Sequence, residues 1–107
     1  MAKARQKKSD ALTRLDKLIG ERFTFALNLR SIREAEEITQ AEFAATLGVS
    51  PAHLCAVEKG HKAVSVERAA AWARVLGQSE AQFVKLALQD ELDRAGLDYL
   101  VELADAS

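Results

Sequence analysis

The tightest constraint on the fold lies between residues 39 and 60, where three residues at fixed spacing dictate how two short helices meet. The helical segments 39–47 and 51–59 are separated by only Gly48-Val49-Ser50. A three-residue turn makes the second helix cross the first steeply, and that crossing has three requirements. The first helix needs a small residue at the crossing point, which Ala44 supplies. The turn needs a residue free to adopt positive φ, and Gly48 stands four positions later. The second helix needs a branched apolar side chain pointing back, and Leu54 stands ten positions after Ala44. Phe43, Leu47, Val49 and Val57 fill the remaining apolar positions. The ends agree with the packing. Thr39 and Glu42 form a T-x-x-E capping box, and Ser50-Pro51 places an N-cap before a proline at the first helical position. Gly60 suits the residue just past the helix end.

Four further segments carry a helical period. Residues 11–19 place Leu12, Leu15, Leu18 and Ile19 on one face after Ser9-Asp10, and Gly20 ends or kinks that helix. Residues 23–36 align Phe25, Leu29 and Ile32. Ser65 caps residues 66–76, which Gly77 closes, and Ser79 with Gln82 opens a helix to about residue 95, closed by Gly96. Trp72, Leu76 and Phe83 sit at core spacing. The fold class expected is all-α: a basic N-terminal arm and helix over 1–22, a helical domain over 23–95 and an acidic segment over 96–107. After Gly96, Leu97, Tyr99, Val101 and Leu103 alternate. That pattern favours a short strand, paired with the same strand of a second copy, over a frayed or helical tail. On the preceding helix Val84, Leu88 and Leu92 form an apolar face distinct from Phe83, Leu86 and Ala87, and a helix apolar on two sides needs two partners. A homodimer interface is therefore expected at Val84, Leu88, Leu92, Leu97, Tyr99 and Val101, with the first helix as the alternative cover for the helical part.

Charge is unevenly placed along the 107 residues. Residues 1–33 carry nine Lys/Arg against three Asp/Glu, whereas residues 90–107 carry Arg94 alone against six acids. A polyanion suits the first third, with the acidic tail turned away from it. The overall net charge of −1 excludes a non-specific nucleic-acid coat protein, which would be basic throughout. No apolar run approaches the roughly 18–20 residues that span a bilayer, and the basic N-terminus lacks the apolar stretch of a secretory signal. The single cysteine, Cys55, fits a reducing cytoplasm. His53, Cys55 and His61 lack the paired spacing of a zinc site, so no metal or cofactor is expected. No nucleophile–base pair, phosphate loop or inward carboxylate pair points to catalysis.

At this point the chain resembles the Cro/CI-type (lambda-repressor-like, or Xre) helix-turn-helix family. The residues that carry the likeness are Leu29-Arg30-x-Ile32-Arg33, Thr39-Gln40-x-x-Phe43-Ala44, Leu47-Gly48-Val49-Ser50, Leu54, Val57-Glu58-Lys59-Gly60 and the stretch from Ala70 to Leu76-Gly77. The resemblance covers about residues 25–78. It implies a five-helix repressor-type fold whose recognition helix, residues 51–59, enters the major groove of double-stranded DNA. It also implies that Gln40 meets a phosphate and that Arg33 and Glu58 form an internal salt bridge. Two departures stand out. The groove-facing side offers Pro51, Ala52, Cys55 and Ala56 where relatives often carry Gln, Ser, Arg or Asn, which leaves Ser50 and His53 as the side chains able to hydrogen-bond to bases. Contacts to phosphates, DNA shape and thymine methyl groups would then carry much of the binding, with Lys59, His61 and Lys62 contributing. The expected DNA-contacting set is Gln40, Ser50, Pro51, Ala52, His53, Ala56, Lys59 and Lys62. The second departure is Glu37, where the family often has glycine, which implies a different turn or roughly 1 kcal/mol of strain. Three functions compete: a cytoplasmic, nucleoid-associated repressor or autoregulator binding a palindromic operator as a homodimer; an antitoxin that also masks a partner toxin; and a protein-interaction module that has lost base readout.

Overall fold

The computed structural model describes residues 23–106. The basic arm and the helix expected over 11–19 lie outside the described residues. Within them the chain forms five helices: α1 (Phe25–Ala35), α2 (Gln40–Leu47), α3 (Pro51–Glu58), α4 (Val66–Leu76) and α5 (Glu80–Arg94). Each begins on a hydroxyl cap. Thr24, Thr39, Ser50, Ser65 and Ser79 accept hydrogen bonds from the backbone N–H three residues on. Each cap satisfies a donor that the first turn would otherwise leave without a partner. At Thr39 the box is reciprocal, since the Glu42 carboxylate also accepts from the Thr39 N–H at 2.9 Å. The Thr39 N–H, and after it the Thr39 hydroxyl, hold the Glu42 carboxyl below its ordinary range.

The helices also end alike. At each end the residue that follows the one with positive φ donates to the carbonyl five positions back, as in Val49 N to Ala44 O at 3.0 Å and His61 N to Ala56 O at 2.9 Å. This closure needs a left-handed residue. Gly48 fills that place between α2 and α3 at φ 73°. Between α1 and α2 the same place falls to Glu37, with φ 57°, and Ile38 N reaches back to Arg33 O at 3.4 Å. The turn at Glu37 therefore has the same form as the glycine turns and carries the strain of a side chain in the left-handed region.

One core joins all five helices. Leu29, Ala44, Leu54, Ala69 and Ala73 are fully buried, and Phe25, Phe43, Val57, Trp72 and Phe83 nearly so. The alanines allow close approach, and the aromatic rings fill the space between helices. Phe25 meets Phe83 edge-on at 5.6 Å between centroids and lies 6.4 Å from Trp72. Each large apolar side chain buried in this way contributes about 1.5–3 kcal/mol. α4 and α5 form the most extensive pairing, and α3 packs against both α2 and α1. Arg94 at the end of α5 donates to Gly60 O at 3.1 Å, fastening the exit of α3 to the last helix.

No strand occurs among the described residues, and residues 97–106 form no helix. The strand favoured by the alternation after Gly96 is not formed within this single chain. Gln89 of α5 explains the difference: its Nε2 donates to Tyr99 O at 2.7 Å and its Oε1 accepts from Val101 N at 2.8 Å. A side-chain amide thus takes the backbone groups on one edge of this segment that a neighbouring strand would use. Leu97, Tyr99 and Leu103 remain about half exposed.

Candidate nucleic-acid interface

The path of α3 follows from its buried residues. Leu54, Val57 and Glu58 face the core, Pro51, Ala52 and Lys59 are exposed, and His53, Cys55 and Ala56 are half-buried. Glu58 is the only acid in the helix, and it is 4% exposed. Arg33 reaches it from α1 through two bonds, Nε to Oε2 at 2.8 Å and Nη2 to Oε1 at 3.1 Å. The third guanidinium nitrogen donates to Ile38 O at 3.1 Å, so one side chain braces both α3 and the strained turn before α2. The Glu58 carboxylate raises the arginine's already high pKa, and charge-assisted bonds of this kind are among the strongest in a fold. The outward side of α3 is consequently free of carboxylates: Pro51, Ala52, Cys55 and Ala56, followed by Lys59.

The residues singled out from the sequence fall into two groups. Ser50, Pro51, Ala52, His53, Ala56 and Lys59 lie along α3 or at its ends, and Lys62 follows in the exposed turn before α4. Gln40 is half-buried, and its Nε2 donates to Glu58 Oε1 at 3.0 Å. One of the two amide N–H groups of Gln40 is thus taken by Glu58. Gln40 also contributes a first-turn backbone N–H of α2, which has no intrahelical acceptor. Ser50 Oγ is occupied by the His53 N–H at 3.1 Å, so its hydroxyl proton is what remains to donate. The expected dimer residues Val84, Leu88, Leu92 and Val101 are half-buried, and Leu97 and Tyr99 are exposed.

Three side chains escaped the sequence reading. Arg68, in the first turn of α4, places Nη1 3.4 Å from His53 Nε2. Gln89 holds the tail, and Arg94 holds the exit of α3. Each acts across 10 to 34 residues of sequence, and no local pattern marks such a pairing. Partial burial, then Lys62 and Arg68, hold the His53 imidazole below its ordinary pKa. Among the described residues no group of His, Cys, Asp and Glu is arranged to hold a metal ion, and no helix is long and apolar enough to cross a membrane.

Residues 29–83, just over half of the chain, match the helix-turn-helix family model. Neither the curated proteins nor the solved structures contain a match. The matched span runs from Leu29 of α1 to Phe83 of α5 and so contains α2, α3 and α4 whole.

Proposed function

The chain belongs to the Cro/CI-type helix-turn-helix family of DNA-binding regulators, and from that premise we propose that it is a transcriptional repressor or autoregulator that binds a palindromic operator as a homodimer. The carrying observation is the disposition of charge on α3. Its one carboxylate is buried and paired with Arg33, and its outward side meets a polyanion with small apolar groups, His53 and Lys59. Ser50, Pro51, Ala52, His53 and Ala56 lie against base edges, with Pro51, Ala52 and Ala56 offering apolar contact to thymine methyl groups. Lys59, Lys62 and the N–H of Gln40 lie against phosphates. A sparse hydrogen-bonding face makes the affinity depend strongly on phosphate contacts and on DNA shape.

Dimerisation uses Val84, Leu88 and Leu92 of α5 together with Leu97, Tyr99 and Val101 of the tail, through side-chain packing. The test is a gel shift on DNA upstream of the protein's own gene at ~150 mM salt, with bulk competitor to remove non-specific contacts. A retained, footprinted, two-fold symmetric site is expected, and failure of every fragment to beat competitor removes the regulator reading. Deletion of residues 97–107 should yield a monomer on size exclusion; a truncated chain that still elutes as a dimer would leave the α5 stripe as the whole interface.

A second reading, an antitoxin, is favoured by the tail itself, where Leu97, Tyr99 and Leu103 stand exposed among Asp98, Glu102 and Asp105. An acidic segment with apolar anchors suits a basic protein partner. Co-purification of the full chain with the product of an adjacent short gene, lost on deleting residues 97–107, separates this reading from the first.

A further inference from the structure

The arginines of this domain are not used alike. Arg33 is paired with Glu58, and Arg74 is paired with Glu80. Arg68 differs. Among the described residues its guanidinium meets the His53 ring nitrogen at 3.4 Å and lies over the Trp72 ring, 5.9 Å from the centroid. Neither partner carries a negative charge, so the positive charge of Arg68 is held in place without being neutralised. Trp72 belongs to the buried core at 4% exposure, and a cation resting on such a fixed ring loses less side-chain freedom when it takes up an anion. Lys62, exposed in the preceding turn, is close enough for its charge to be felt at His53. Two cationic side chains, Lys62 from the turn and Arg68 from α4, thus gather beside His53 on the flank of the outward side of α3.

We propose that Arg68, steadied by Trp72 and His53, contacts a phosphodiester of bound DNA, so that α4 grips the duplex backbone together with α2 and α3. The inference rests on the DNA-binding reading above and extends the interface to a helix that the recognition pattern does not include. It also bears on the chemistry of α3, whose outward side has few groups able to bond to bases. An added phosphate contact beside His53 holds the first turn of α3 in the groove, where small apolar side chains can meet thymine methyl groups.

Phosphate contacts carry no sequence information, so the test needs no operator. Fluorescence anisotropy with a labelled duplex of about 25 base pairs of arbitrary sequence is measured from ~50 to ~250 mM KCl. The proteins are the full chain, Arg68→Ala, Arg68→Lys and, as an equal change of net charge beside the tail, Lys85→Ala. Arg68→Ala should weaken binding roughly tenfold at ~50 mM salt and reduce the slope of log K against log[salt] by about 1. Arg68→Lys should restore most of the slope, and Lys85→Ala should leave it unchanged. Melting curves fix a temperature at which every variant is folded, which separates a lost contact from lost structure. An Arg68→Ala slope equal to that of the full chain, at that temperature, overturns the inference while DNA binding itself stands. A full chain whose binding shows no salt dependence, or that binds no duplex, overturns the DNA reading and this inference with it.

Discussion

Replacing Arg33 by methionine isolates the interaction that joins α1 to α3. The substitution keeps an unbranched apolar stem and removes the guanidinium, leaving the Glu58 carboxylate, whose side chain is 2% exposed against 16% for Arg33, with Gln40 as its remaining partner. Two charge-assisted bonds to Glu58 and one to Ile38 O are lost. Breaking a buried pair from one side costs about 3–5 kcal/mol, because an uncompensated charge is left behind. The partial exposure of Arg33 and the surviving Gln40 bond place the expected loss near the lower end, at about 3 kcal/mol. At about 4–8 °C per kcal/mol for a domain of this size, the melting temperature should fall by roughly 15 °C. The assay is urea unfolding followed by circular dichroism, on the full chain, Arg33→Met, Glu58→Met and the double variant. The double variant should be more stable than Arg33→Met alone, with a coupling energy of at least ~2 kcal/mol, since no buried charge then remains. A loss below ~1 kcal/mol for Arg33→Met, or single effects that add within ~0.5 kcal/mol, would refute the argument that Arg33 neutralises a buried carboxylate.

Three other outcomes follow from single residues. Glu37→Gly should stabilise the domain by about 0.5–1 kcal/mol, the relief of a left-handed side chain less the added freedom of the unfolded glycine; an unchanged or lower unfolding midpoint counts against strain at that turn. Asn28 Nδ2 is buried without a partner among the described residues, so Asn28→Leu should raise stability by about 1 kcal/mol in the same assay, and a loss would show that the amide is needed. The depressed His53 pKa means that, as pH falls, the unfolded chain takes up this proton first. Its contribution to stability is therefore intact above the unfolded value near 6.5 and declines as pH drops through the lower folded value. Histidine proton resonances should show a His53 midpoint below 6.5 that rises in Lys62→Ala; a midpoint at or above 6.5 in the unmodified chain contradicts the assignment.

Much of the site was legible locally because it is built from local rules. A hydroxyl before each of α2 to α5, Glu42 three residues after Thr39, a proline at the first position of α3 and Gly48 in the tight turn act within a few residues of themselves. Their consequences are read without knowing the fold. The apolar positions Ala44, Leu54, Phe43 and Val57 likewise follow from helical period, and each is buried. The strained turn at Glu37 was visible as a departure from glycine. Its geometry follows from the same closing pattern as the other helix ends.

What the chain determined by itself, then, was where α2 to α5 start and stop, which side the helices bury and that α2 and α3 meet through a steep turn. Tertiary structure decided which polar groups remain available to a ligand. Gln40 turns its amide onto Glu58, Arg68 comes to rest between His53 and Trp72, and Gln89 takes the backbone edge that an alternating tail would have offered to a strand. The physical reason is common to all three. Helix caps and periods depend on neighbours in sequence, whereas these polar side chains take hydrogen-bond partners that packing brings near, 10 to 18 residues away.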